Sequence, residues 1–196
     1  MDTATLYEAA FAVTGVDRDL SHRIRPVWTG ARLHGRALPV RTAPRDNLPL
    51  HIAVERAAPG DVLVVDAGGH ASGYWGEILT VAAQARGIAG LVIDGGVRDT
   101  DRLAALGFPV FASAVAIGRT AKRHAGLVGE PIELDGRPVL PGDLVVADAD
   151  GIVVIPAADE EAVLAAARAR LAKETEVLER LAAGESTMDL YDLRGT

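Results

Sequence analysis

Two short stretches hold the residues with which this chain could do chemistry: GGHASGYWGEI over residues 68–78 and GGVRD over residues 95–99. In the second, Arg98 offers a planar guanidinium fork that matches a carboxylate, and Asp99 beside it offers a hard oxygen ligand suited to Mg²⁺ or Mn²⁺. In the first, Gly73 and Gly76 allow close backbone approach. The first amides of a helix opening after Gly76, those of Glu77, Ile78 and Leu79, would have no intrahelical acceptor and could hold a small anion. An anion site, a guanidinium and a cation ligand together suit a small carboxylic acid bound next to a divalent metal. On residue type alone, a tight glycine turn and a surface helix cap would account for the same residues. His70 is read as a loop hydrogen-bonder, because no second histidine lies at ligand spacing. Asp66 and Asp94 are expected to satisfy nearby backbone donors, with Asp94 the better candidate to support a ligand from behind. Tyr74 and Trp75 are expected to pack and to shape a pocket wall.

Other machinery is excluded by what is missing. There is no cysteine, so disulfides, thiolate metal sites and a cysteine nucleophile are ruled out together. The only lysines are Lys122 and Lys173, neither in the glycine-rich middle, which disfavours a Schiff-base aldolase. No GxSxG, HExxH, Walker lysine loop or GxGxxG is present.

Positioning the two stretches requires strands that end beside each other. VLVVD (62–66) is an apolar, β-branched run of the buried-strand type, EILTVAAQAR (77–86) repeats apolar residues at helical intervals up to Gly87, and LVIDGG (91–96) is a second buried strand. Strand, glycine-rich loop, helix, strand is a βαβ unit, and ligands bind beyond the carboxyl ends of such strands. VRDTDRLAALG is a turn entering another helix, and PVFAS a further strand. Upstream, Thr5 and Glu8 have capping-box spacing for a first helix ending before Gly15. Residues 21–49 suggest irregular strands broken at Gly30 and Gly35, and His51–Ala58 a short helix. Downstream, GLVG, PIEL, DLVVAD and GIVVIP are short β-rich runs set off by Asp135-Gly136, Pro141-Gly142 and Asp150-Gly151, which suggest antiparallel hairpins. Pro156 opens a long helix to about Ala183 with Gly184 as its stop, its KETEVLER stretch a solvated face.

With 196 residues, 49% hydrophobic and 24% charged, the chain suits one domain spanning residues 1–196 around a single core. Its net charge of -7 disfavours a nucleic-acid or anionic-membrane partner. The N-terminal MDTATLYEAA lacks a basic segment followed by an apolar run, and no stretch reaches the roughly 18 apolar residues of a membrane span, so a cytoplasmic location is expected.

Taken together, GDVLVVDAGGHASGYWGEILTVAAQARGIAGLVIDGGVRDTDRLAALGFPVFA, followed by PGDLVVADADGIVVIP and ERLAAGESTMDLYDLR, resembles the RraA-like family. The likeness is to its 4-hydroxy-4-methyl-2-oxoglutarate/4-carboxy-4-hydroxy-2-oxoadipate aldolase branch, and its most specific element is Glu77 followed, after twenty residues, by Arg98 and Asp99. The resemblance implies an α/β fold, a swivelling β/β/α sandwich with a central βαβ unit and a long C-terminal helix, assembled as a homotrimer or homohexamer with sites between subunits. It implies that the Gly76 to Leu79 amides hold a pyruvyl carboxylate, that Arg98 contacts the substrate, that Asp99 holds Mg²⁺ or Mn²⁺ in a water-rich shell, and that Glu77 orients those waters. A carboxylate from the C-terminal helix of the adjacent subunit is also implied; Glu174 matches best in position, with Glu176 close by. The implied activity is metal-dependent cleavage of either acid to pyruvate, with oxaloacetate decarboxylation through the same pyruvate enolate. The same family contains non-catalytic regulators that bind ribonuclease E, and a lyase for another 2-oxo acid is a further reading.

Overall fold

The computed structural model describes residues 1–195. Helix α1 (Thr3–Thr14) is capped by Asp2, which accepts from the Thr5 amide at 2.8 Å, and ends at Gly15 in the left-handed conformation. The cap is therefore Asp2 and not a Thr5–Glu8 pair, because a carboxylate directly ahead of the first turn reaches its free amides. Strand β1 (Arg25–Pro26) precedes β2 (Leu33–Arg41), which runs unbroken through Gly35. There a Cβ would collide with the Gly60 carbonyl and lie 2.8 Å from Val62, so this glycine serves close strand packing and does not interrupt the strand.

The central elements follow in the expected order: α2 (Leu48–Arg56), β3 (Asp61–Trp75), α3 (Glu77–Ala85), β4 (Gly90–Val97), α4 (Thr100–Ala105) and β5 (Val110–Val115). Strands β2, β3, β4 and β5 are mutually parallel, and β1 closes the β5 edge antiparallel. The glycine-rich segment after Asp66 is not a loop. It continues β3 to Trp75, with register shifts against β4 on either side of His70, while Gly68 and Gly69 take φ of 61° and 69°. Glycines in such conformations permit the bulges that bend a strand while keeping it paired.

The short runs downstream are β6 (Leu127–Val128), β7 (Ile132–Leu134), β8 (Arg137–Val139), β9 (Leu144–Ala147) and β10 (Ile152–Ile155). β7 and β8 form a separate hairpin, β9 and β10 another, and β9 and β6 pair antiparallel with β2. The large sheet thus runs β1-β5-β4-β3-β2-β9-β10. The long helix α5 (Glu160–Ala182) starts later than Pro156, since Pro156 to Asp159 form a turn closed by the Asp159 amide on the Pro156 carbonyl at 2.9 Å. A short α6 (Thr187–Leu190) follows.

Alternate residues of β3 serve the two faces of the sheet, which explains its continuous apolar run. Leu63 and Val65 join Leu50, Ala53, Leu79, Ile93, Leu103 and Phe108 under α2, α3 and α4; Val62 and Val64 join Val92, Phe111 and Val145 beneath the β7–β8 hairpin. A third cluster docks α1 and α5 on β9 and β10 through Leu6, Ala10, Val146, Val153 and Val163. The inward face of α3 is Leu79, Thr80 and Ala83; Ile78 and Val81 are 78% and 50% exposed despite their helical spacing. No helix among the described residues is long and apolar enough to cross a membrane.

Candidate functional site

Strands β3 and β4 end side by side, with Trp75 opposite Val97 and the Arg98 amide donating to the Trp75 carbonyl at 2.9 Å. This register brings the start of α3 against the Arg98-Asp99 turn. Asp99 is a non-glycine residue in the left-handed region, at φ 59° and ψ 34°, a costly backbone state for most side chains that aspartate tolerates comparatively well. It stands at the N-cap of α4 without capping it; its Oδ2 instead accepts from the Glu77 amide at 3.1 Å and lies 3.6 Å from Arg98 Nε. The space left by the two glycines is filled by this pair. A Cβ on Gly73 would lie 3.0 Å from Arg98 Cδ, and one on Gly76 would collide with Asp99 Oδ2.

The bond from Glu77 to Asp99 changes the expected anion site. The Glu77 amide is occupied, so among the described residues the first-turn donors without an acceptor are those of Ile78 and Leu79. These two amides, the positive end of the α3 dipole and the Arg98 fork can receive one small carboxylate. The Arg98 and Asp99 side chains are 44% and 40% exposed, open to solvent and to a ligand.

A cleft of about 200 Å³ lies over this corner, lined by Gly73 to Gly76, Ile78, Leu79, Arg98 and Asp99, and also by Asn47, His51 and Lys122. Sequence reading missed the last three, which come from segments far away in the chain. Their placement depends on Asp46, whose buried carboxylate accepts from the amides of Leu48 at 3.0 Å, Arg123 at 2.8 Å and His124 at 3.1 Å. Burial by itself would raise the Asp46 pKa, yet these amides hold it below the usual carboxylate range. Ala121 adds backbone bonds to Arg45 and Asn47, so the 121–124 loop is clipped against the start of α2. His51, about one turn along α2 from Asn47, is pushed below its ordinary pKa by burial and then by the Lys122 charge. Asn47 Nδ2 donates to the Tyr74 carbonyl at 3.0 Å. Tyr74 and Trp75 are buried walls, the Tyr74 hydroxyl accepting from the Arg45 amide at 2.8 Å and the Trp75 indole donating to Thr80 Oγ1 at 2.7 Å.

Not every predicted residue joins this corner. Glu77 is exposed, and its carboxylate has no hydrogen bond or ion pair among the described residues. Glu174 lies on α5, paired with Arg170 at 2.7 Å, and neither it nor Glu176 lines the cleft of its own chain. His70 does not act as a loop hydrogen-bonder: its Nδ1 is buried without a partner and its ring meets Tyr74 edge-on at 6.3 Å. Asp66 accepts from the Gly68 amide as expected, whereas Asp94 Oδ1 is buried without a donor.

The donor set fits a divalent ion of one kind. No group of three or more His, Cys, Asp or Glu able to hold a metal exists among the described residues. Mg²⁺ and its like keep several waters and take one or two carboxylates plus the substrate. Asp99 fits that role, since its Oδ2 is committed to Glu77 and Arg98 while Oδ1 is free for a cation.

Fold and corner together define a mixed α/β protein with a cleft at the carboxyl ends of two parallel strands, lined by Arg98 and Asp99. The sequence pattern of the RraA-like family, described as Aldolase/RraA, matches residues 3–154, and the chain belongs to this family. A relative from Halalkalibacterium halodurans named "Putative 4-hydroxy-4-methyl-2-oxoglutarate aldolase" is 39% identical over 157 residues, 80% of this chain and 75% of that protein. Among solved structures, an uncharacterized protein from Pseudomonas syringae pv. tomato superposes with a TM-score of 0.83 at 31% identity, covering 95% of this chain and 90% of the other. Streptomyces coelicolor RraAS2, described as an unusual member of the RNase ES inhibitor RraA protein family, gives 0.79 at 30% identity over 91% and 93%.

Proposed function

We propose that this protein is a divalent-metal-dependent carbon–carbon lyase of the cytoplasm. It cleaves 4-hydroxy-4-methyl-2-oxoglutarate or 4-carboxy-4-hydroxy-2-oxoadipate to pyruvate and decarboxylates oxaloacetate at the same site. The observation that carries this reading is the corner itself: two free helix-start amides, Arg98 and the Asp99 carboxylate meet at one cleft. The name borne by the Halalkalibacterium relative supports the substrate.

The Ile78 and Leu79 amides would bind the substrate carboxylate, and Arg98 would approach the 2-oxo oxygen. As the C3–C4 bond breaks, negative charge grows on that oxygen to give the pyruvate enolate, and a guanidinium already in place stabilises it. Asp99 would hold Mg²⁺ or Mn²⁺, which supplies Lewis-acid polarisation of the 2-oxo group when bound. The exposed Glu77 carboxylate, next in sequence to the cleft-lining Gly76 and Ile78, would order water for the proton transfers. Both reactions pass through the same enolate, so one set of residues serves both.

The assembly proposed is a homotrimer or homohexamer in which Glu174, with Glu176 as the alternative, is presented to a neighbouring subunit's cleft. The exposed Ile78, Val115 and Ile117 and the exposed Leu178, Met188 and Tyr191 supply apolar surface for such contacts. A regulator reading is favoured by the RraAS2 likeness, and it predicts no turnover. Wild-type turnover decides between them, and Arg98→Ala tests the site: the lyase loses both aldol cleavage and decarboxylation by about 10²–10³-fold, the scale of a lost oxyanion donor. Retention of either reaction would show that the two use different groups.

A further inference from the structure

The start of α3 is held at two points. At its first residue the Glu77 amide donates to Asp99 Oδ2 at 3.1 Å. Almost one turn further on, Thr80 Oγ1 accepts the Trp75 indole N–H at 2.7 Å, and both of these residues are buried. The two amides proposed to take the substrate carboxylate, those of Ile78 and Leu79, lie between these points in the chain. Building on the lyase reading, we infer that the Trp75–Thr80 pair is a positioning contact: it fixes the first turn of α3 against the Arg98-Asp99 turn and so sets where the carboxylate donors stand relative to the Arg98 fork.

Trp75 reaches each element that carries the corner. Its carbonyl accepts the Arg98 amide at 2.9 Å, so the residue that holds Thr80 through its side chain holds Arg98 through its backbone. Its ring stacks on Phe108 with centroids 6.0 Å apart and planes 11° apart, which ties it to the segment after α4, the helix that Asp99 opens. The choice of partner separates this role from plain packing. Trp28 satisfies its indole with the Phe108 carbonyl at 3.0 Å, so a backbone acceptor suffices for such a group. Trp75 instead takes a hydroxyl on the inward face of α3, beside Leu79 and Ala83, where an apolar side chain would pack and where threonine is a poor helix former. A buried hydrogen bond is directional, whereas apolar contact tolerates sliding and rotation, so the polar pair specifies one arrangement of helix against strand. Sliding of α3 at this place would carry the Ile78 and Leu79 amides away from Arg98.

The test is calorimetric binding of pyruvate to the full-length protein in Mg²⁺, with the thermal midpoint of each variant recorded. Thr80→Val keeps the shape and removes the hydroxyl; Trp75→Phe keeps a ring on Phe108 and removes the N–H. Each is expected to raise the pyruvate dissociation constant about 10-fold at a temperature where circular dichroism shows the folded state, the scale of one charge-assisted hydrogen bond lost through misplacement. Thr80→Ser retains the hydroxyl and should bind within about 2-fold of wild type, even though its lost methyl lowers the thermal midpoint. An unchanged pyruvate constant in folded Thr80→Val or folded Trp75→Phe, whatever the midpoint, assigns the pair to packing alone and overturns the inference while the lyase reading stands. Equal weakening in Thr80→Ser overturns it as well. Failure of wild type to bind pyruvate overturns the lyase reading, and the inference with it.

Discussion

Asp99 is fixed by competing demands at a single position. Its backbone is left-handed, its Oδ2 anchors the first amide of α3, and its Oδ1 is the atom that would hold the proposed cation. Asn also tolerates this backbone, so Asp99→Asn should keep the turn and the fold while removing the charge. Metal-dependent turnover should vanish with little change in thermal midpoint, as read by far-ultraviolet circular dichroism. Gly76→Ala tests the geometry from the other side: its methyl would displace Asp99, and a misplacement of about 1 Å should lower kcat about 10²-fold. The meeting of Arg98 and Asp99 with the start of α3 was legible in the sequence because two buried-strand runs end beside these residues, and the family resemblance, not residue type alone, singled the pair out. Asn47, His51 and Lys122 were not, because the bonds that assemble them link Asp46 to Arg123 and His124, 77 and 78 residues on.

Among the elements, the parallel strands were readable from their apolar β-branched runs, and α3 from its length and its Gly87 stop. Two features followed tertiary context instead. The glycine-rich stretch stays paired to β4 through bulges, and the exposed Ile78 turns away from the core although its spacing fits an apolar face. Acid sensitivity belongs to this scale as well. Asp46 clips the 121–124 loop to α2, and Asp148 clips α1 to the β9–β10 hairpin by accepting from the Thr3 amide at 2.9 Å and the Asp150 amide at 3.0 Å. Burial opposes ionisation of Asp148 too, but hydrogen bonds to Thr3, Asp150 and Gly151 leave its pKa below the ordinary value. Both folded values are depressed, so the stabilisation is complete above the unfolded pKa of about 4 and is lost as the pH falls through the folded values. Asp148→Asn should therefore cost about 1–3 kcal/mol at pH 7 and make the thermal midpoint fall less steeply than wild type below pH 4. A wild-type midpoint that is flat down to pH 3 would contradict the depressed values.

For the whole molecule, the sheet and its covering helices account for the core, but among the described residues α5 beyond Ala167 and the tail bury none in their own chain. Under the proposed assembly this surface meets a neighbour. Light scattering should give three or six protomers, and Ile117→Asp, at an 86% exposed site, should shift the mass toward single protomers. A wild-type protein that is monomeric at micromolar concentration would remove Glu174 from the account. The most direct test of the central claim is pyruvate release from oxaloacetate and from 4-hydroxy-4-methyl-2-oxoglutarate in Mg²⁺ or Mn²⁺, then in EDTA, alongside Asp99→Asn. The account predicts turnover of both acids with metal, none in EDTA, recovery on adding metal back, and none in the variant. Turnover that persists in EDTA or in Asp99→Asn, or no turnover of either acid with metal present, would contradict it.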